Sequence, residues 1–451
     1  MNKKWFGFGA ILIGMSASTL MQTLVATSMP VITRDLGGMN LYSWVFGGYM
    51  LAATITIPLF ARLADLFGRR LLYVLGLSVF LLGSALIGTA STMIWLVGFR
   101  VVQGIGAGAV APAALASIGD LFAENKRGKM FGLIGAVQVL ANLIGPPLGG
   151  WMTDAYSWRW GFFLVLPLGV LAALLAWHGL DDKATPKAGK TARLDWPGAL
   201  IIGLGLCLGL IGVQSLGARE MLVGIVACGG GIILLGFARR WERGQDDPVI
   251  PLSLLQLPSM WKPVLGTLLL GLATNGTVVY FPLYLQKIYT QTATEAGFAL
   301  LPMLLMAGIA SGVGGSLANR YPRQTQSVAW GLVFLGFTLV AVFRTESVLF
   351  MASCIGVGLG LLLPIYLHTA QQTGGEEHLA TTSGIVQMAR NLGGALGIPL
   401  LGAWLVMGEA NTTAFAAIFI SLAGIGGLGF SLGFIPTHQQ KKTRKFIKSV
   451  F

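Results

Sequence analysis

Charge is scarce in this chain. Lys, Arg, Asp and Glu together make up 10% of its 451 residues, against roughly 25% in soluble domains, which excludes an ordinary water-soluble globule. Acid is scarcer still, with seventeen Asp and Glu against thirty Lys and Arg. All seventeen fall in polar segments or at the ends of apolar stretches; Asp154 and Asp120 come nearest to mid-depth. The three cysteines, Cys207, Cys228 and Cys354, have no paired spacing, so neither a disulfide framework nor a thiolate metal site is expected. Four histidines, His178, His368, His378 and His438, form no zinc-ligand or nucleophile pattern, and an enzyme is not expected. Residues 184–191 end like a phosphate-binding loop but begin with Ala184 where glycine is needed, and no strand precedes them. They read as a basic linker. No cofactor is implied, and any transport by this chain must draw on an ion or solute gradient.

Apolar surface is abundant. Hydrophobic residues account for 55% of the chain and the mean hydropathy is +0.75. A helix needs about 20 apolar residues to cross a bilayer. Fourteen stretches of that kind lie near residues 7–29, 43–61, 71–90, 94–118, 129–152, 160–177, 198–217, 221–238, 263–286, 296–317, 325–343, 347–370, 382–407 and 413–435. The fold class is therefore an all-α integral membrane protein with 14 transmembrane helices. Polar segments divide it into a six-helix bundle (1–180), linkers with two inserted helices (181–258), a second six-helix bundle (259–436) and a basic cytoplasmic tail (437–451). The first apolar run continues to Met29, which favours an uncleaved first helix over a signal peptide.

The net charge of +13 reflects orientation rather than nucleic-acid binding. With both termini cytoplasmic, 23 of the 30 Lys and Arg fall in inside segments, five lie outside, and Arg100 and Arg390 lie within spans. That asymmetry follows the positive-inside rule and suits a multi-pass protein of the cell (inner) membrane.

Several segments carry more specific information. Residues 135–150 form a glycine- and proline-studded run inside a span, with Gly145, Pro146, Gly149 and Gly150 at its end. Proline frees a backbone carbonyl and small residues admit a neighbouring helix, so the run has the makings of a hinge. Residues 61–70 hold Asp65, Arg69 and Arg70 between the second and third spans. Arg100 lies two turns inside the fourth span, where an arginine costs roughly 2.5 to 3.5 kcal/mol near the centre. Trp158-Arg159-Trp160-Gly161-Phe162-Phe163, Asp195-Trp196-Pro197-Gly198, Pro248-Val249-Ile250-Pro251-Leu252, Phe281-Pro282-Leu283-Tyr284-Leu285-Gln286 and residues 390–397 follow in order.

Taken together these segments resemble the fourteen-helix drug:proton antiporter branch of the major facilitator superfamily, the multidrug efflux transporters. The resemblance implies two bundles that rock about a midplane site. It implies a cytoplasmic gate at Asp65, Arg69 and Arg70, an antiporter hinge at Gly145, Pro146, Gly149 and Gly150, and proton coupling linked to Arg100. One position departs from it: Met21 follows Leu20 where relatives commonly carry aspartate. Asp154 is the candidate proton acceptor in its absence; capping of a helix end or pairing with Arg159 is the structural alternative.

Polar residues inside apolar spans point to a cavity or to interhelical hydrogen bonds. Gln138 and Asn142 share a face of the fifth helix, and Arg100 and Gln103 a face of the fourth. Gln22, Tyr49, Asn275, Tyr280, Gln387, Arg390 and Asn391 lie on helices that line the cavity in the resembled family. The expectation is a monomeric, proton-coupled exporter of small amphiphilic organic compounds, embedded in the bilayer and without nucleic-acid partners. Two alternatives stay open: a carrier of one neutral or anionic metabolite, favoured by Met21 with Arg100 and Arg390, and a membrane scaffold or sensor that moves nothing.

Overall fold

The computed structural model describes residues 3–180, 196–217, 220–242, 257, 259–343, 348–374, 379–408 and 411–434. Apolar sequence in lipid has no water to satisfy its backbone, so every long apolar run closes its hydrogen bonds internally as helix. The helices are α1 (Lys3–Leu36), α2 (Tyr42–Phe67), α3 (Arg69–Gly88), α4 (Met93–Leu121), α5 (Glu124–Ala155), α6 (Trp158–Gly179), α7 (Trp196–Gly217), α8 (Met221–Glu242), α9 (Trp261–Ile288), α10 (Ala293–Ala299), α11 (Leu301–Arg320), α12 (Pro322–Phe343), α13 (Val348–Gly374), α14 (Leu379–Met407) and α15 (Thr412–Phe434). All but the short α10 are long, giving the fourteen long helices expected from hydropathy.

Among the described residues, twelve spans are long and apolar enough to cross a membrane, with α10 and α11 counted as one. The other two long helices are α7, whose apolar part runs Leu200–Leu216, and α14, which carries Gln387, Arg390 and Asn391. Large apolar side chains are exposed in numbers no soluble protein would tolerate; Leu222, Ile232 and Ile233 of α8 are each more than 70% exposed. These are lipid-facing surfaces.

Turn chemistry sets the helix ends. Gly68, at φ 97°, is the single residue between α2 and α3, and its left-handed backbone lets the chain reverse there. Thr92 caps α4 by accepting from the Trp95 N–H, and Thr292 and Glu295 form a reciprocal capping box at α10.

The chain forms two compact units. The first holds residues 1–249 and 278–301, the second residues 250–277 and 302–451. Within the first, α4 packs between α2 and α3, α1 against α5 and α6, and α3 against α6. The inserted helices α7 and α8 pack on each other, with α7 also on α2, and α10 lies on α5 and α1. Trp158 at the start of α6 is buried and donates to Asp35 at the end of α1 across 3.1 Å. Within the second unit, α12 packs against α13 and α15, and α14 joins α13 to α15. Its buried centre includes Trp330, whose ring N–H donates to the Tyr366 hydroxyl at 2.6 Å.

Candidate functional site

Helices α1 to α4 of the first unit bring together a buried polar network. Arg100 is 1% exposed and Gln103 0%. One turn apart on α4, they share a face. A terminal nitrogen of Arg100 donates to Gln103 Oε1 at 2.5 Å, and its Nε donates to the Val45 carbonyl of α2 at 3.1 Å. The guanidinium plane lies over the ring of Tyr49, 4.2 Å from its centroid, a cation–π contact that strengthens on desolvation. Gln103 Nε2 in turn donates to Ser84 Oγ of α3 at 2.5 Å, and Ser84 reaches Met21 Sδ of α1 at 3.8 Å. The Tyr49 hydroxyl lies 3.2 Å from Ser18 Oγ and is also within hydrogen-bonding reach of Gln22. Two helices thus satisfy the guanidinium with neutral groups alone, and two more hold those groups in place. Among the described residues no carboxylate pairs with it.

The glycine and proline run of α5 forms a second feature. Gly145 and Gly149 lie against α1, where an added Cβ would collide with Thr23 Oγ1 and the Leu24 carbonyl respectively. Pro146 and Pro147 lack the N–H groups that would complete the helix ladder. Hydroxyls from α1 close the seam: Thr27 Oγ1 lies 3.1 Å from the Pro146 carbonyl, and Ser28 Oγ 3.3 Å from that of Gly149. Thr153 of α5 reaches Ser28 at 2.8 Å. On its other side α5 meets α10 backbone to backbone. A Cβ on Gly150 would strike the Ala293 carbonyl, and one on Gly297 would strike that of Pro146. Gln286 of α9 donates to the Thr27 carbonyl at 2.9 Å.

Asp154 ends this seam. It is exposed, and it accepts from the Thr294 N–H at 2.7 Å, the Thr294 hydroxyl at 2.5 Å and the Ala293 N–H at 3.4 Å. The carboxylate therefore caps α10. Arg159 turns elsewhere, donating to the Ala90 carbonyl at 3.1 Å and stacking on Trp158.

At the opposite end of α3, Arg69 donates to Asp120 of α4 and to the Ala116 carbonyl, the latter at 2.7 Å. Arg70 lies over the Trp177 ring at 4.9 Å. Asp65 is in the last turn of α2, but its side chain lies outside the described residues.

The remaining candidates are distributed. Tyr280 is buried in the first unit, stacked on Tyr42 at 6.1 Å. Gln138 and Asn142 are half-buried on α5. In the second unit Asn275 donates to its own helix at the Gly271 carbonyl, and Gln387 donates to Asn391 at 3.0 Å. Arg390 is half-buried. Sequence reasoning did not single out Ser18, Ser84, Thr27, Ser28 or Thr294. Isolated hydroxyls in apolar helices look like packing residues, and each of these gains its role only from a partner distant in sequence: Ser18 from Tyr49, Ser84 from Gln103, Thr27 and Ser28 from α5, and Thr294 from Asp154.

A model of the Major Facilitator Superfamily matches residues 11–398. The chain belongs to that superfamily. It is 32% identical over 415 residues to the Bacillus subtilis protein named multidrug transporter protein MdtP, covering 89% of this chain and 75% of the relative. Multidrug resistance protein 3 of the same organism is 30% identical over 430 residues, with 93% and 82% covered. Among solved structures, a bacterial homolog of the human lysosomal transporter Spinster superposes with a TM-score of 0.68 at 14% identity, covering 96% of this chain and 97% of that one. This superfamily chain is thus a multi-pass membrane transporter rather than an enzyme.

Proposed function

We propose that this transporter is a proton-coupled exporter of amphiphilic organic compounds, of the fourteen-helix drug:proton antiporter branch, working as a monomer by alternating access in the cell membrane with both termini cytoplasmic. The observation that carries the reading is the close seam of α5 with α1 and α10. Gly150 and Gly297 each face a carbonyl oxygen directly, and hydroxyls from Thr27 and Ser28 occupy the proline-weakened stretch of α5. A contact made of small residues and shared hydroxyls re-forms easily after separation, because no large side chain has to repack.

In this reading the 1–180 and 259–436 bundles rock on the hinge of Gly145, Pro146, Gly149 and Gly150. Arg69 and Arg70, with Asp65, close the cytoplasmic side through contacts of the kind Arg69 makes with Asp120, each contributing ~0.2 to 1 kcal/mol when exposed. Arg100 and Asp154 couple the cycle to protons, and Gln22, Tyr49, Gln103, Gln138, Asn142, Asn275, Tyr280, Gln387, Arg390 and Asn391 face the substrate path. The names of the two bacterial relatives support export of chemically varied compounds.

The test is retention of a panel of fluorescent amphiphiles in cells expressing the chain, with and without a protonophore. Protonophore-sensitive export of several dyes is expected. The same cells carrying Gly297→Leu, which drives a side chain into the Pro146 carbonyl, should insert the protein and lose at least tenfold in export rate. Export unaffected by the protonophore overturns the proton-coupled reading.

A further inference from the structure

Charge is distributed with one sign inside the membrane. In the described helices every Asp and Glu lies in the first or last turn, as Asp35, Asp65, Asp120, Glu124, Asp154, Glu242 and Glu295 do, whereas Arg100 and Arg390 lie in helix interiors. Arg100 keeps its full positive charge because guanidinium does not deprotonate in proteins, and its partners are neutral: the Val45 carbonyl, the Gln103 amide and the Tyr49 ring. Dipoles satisfy its hydrogen bonds without cancelling its field.

That field has an outlet. In the run from Met21 to Met29, Gln22 is exposed while its neighbours Met21 and Thr23 to Met29 are buried. A polar amide facing hydrocarbon is costly, so this side of α1 faces water or substrate. Gln22 and Ser18 meet the Tyr49 hydroxyl, and the face of the same ring covers Arg100. A group bound beside Gln22 is therefore separated from the guanidinium by one aromatic ring, at low effective dielectric. On the far side of the network, Met21 Sδ occupies the position next to Ser84 and is 0% exposed. A thioether there leaves the cation uncompensated.

We infer that the substrates of this transporter are amphiphiles with an anionic head, a carboxylate or sulfonate, seated at Gln22, Ser18 and Tyr49 within the field of Arg100, and that Met21 sets this preference. The inference rests on the export function proposed above for that same site. A carboxylate introduced at position 21 would meet the Ser84 hydroxyl and set a negative charge beside the network, offsetting the field of Arg100 and turning the preference toward cations.

Two probes with one fluorophore test this: 11-(dansylamino)undecanoate and a dansyl-bearing primary alkylammonium of equal length. Each is titrated into the purified full-length chain and then assayed in proteoliposomes under an imposed proton gradient. The undecanoate is expected to bind at least about tenfold more tightly than the ammonium. Met21→Asp should shift the ratio at least tenfold toward the ammonium, while Met21→Asn, similar in size and uncharged, keeps the anion preference. Equal or tighter binding of the ammonium to the unaltered chain overturns the assignment without recourse to any variant. So does failure of both probes to bind, or an identical response of the Asp and Asn variants. Charge-selective binding with no movement of either probe upholds the anion assignment and overturns the export function instead.

Discussion

Arg100 and Arg390 are two guanidinium groups in two helix interiors, and the protein houses them differently. Arg100 is enclosed: α2 supplies a carbonyl and a ring face, and α3, through Gln103, a serine hydroxyl. Arg390 is half-buried on α14, where the polar side chains nearest in sequence, Gln387 and Asn391, hydrogen-bond to each other. Its backbone is closely approached by α9, since an added Cβ on Gly271 would strike the Arg390 carbonyl. A buried charge is expensive to strand and an open one is not. The first arginine is thus held in one geometry by named partners on its own helix and on α2, while the second shows no such partner among the described residues.

That contrast is testable in descending order of effect. Arg100→Ala leaves Gln103 Oε1 without its donor, at about 1 to 3 kcal/mol, and takes from the Val45 carbonyl a donor additional to its helical one, whereas among the described residues Arg390→Ala strands no such pair. Thermal unfolding in detergent should separate the two variants clearly, with export abolished in the first; coincident melting curves would erase the distinction. Ser84→Ala probes the enclosure one step further out. It removes the acceptor of the Gln103 amide and is expected to cost about 1 kcal/mol, measurable as a smaller drop in melting temperature. Asp120→Asn gives the exposed limit. Its pair with Arg69 involves side chains 46% and 17% exposed, so the loss should be ~0.2 to 1 kcal/mol and should vanish in high salt. A salt-independent loss would show that this pair behaves like the buried network instead.

How much of this was legible in the residues differs by level. The helices were, because hydropathy over 20 residues reports directly on the solvent a segment occupies. The placement of Arg100 with Gln103 followed from helical spacing. The enclosure did not: Val45 contributes only a backbone carbonyl and Ser84 a single hydroxyl, and neither residue type signals polarity at a distance. The seam of α5 announced itself through Gly and Pro, yet its partner α10 did not, since Ala293 and Gly297 become significant only when set against Gly150 and Pro146. Asp154 was singled out for want of any deeper acid. The structure gives it a helix-capping contact with Thr294, 140 residues away, that no local pattern reveals. The fourteen-helix branch and the direction of proton flow belong to the proposal, because helix count alone does not specify chemistry.

The partners of Arg100 have a consequence for biogenesis. Val45, Tyr49 and Ser84 all precede it in the chain, and Gln103 follows by three residues. When the ribosome delivers α4 to the membrane, everything needed to shelter its arginine has already been synthesised. The capping of α10 by Asp154 has no such advantage. At 5 to 20 residues per second, Thr294 emerges on the order of ten seconds after Asp154. The nascent N-terminal helices can therefore lock around their charge first, and the α5 seam is completed late, by a segment that arrives to find its docking face already built.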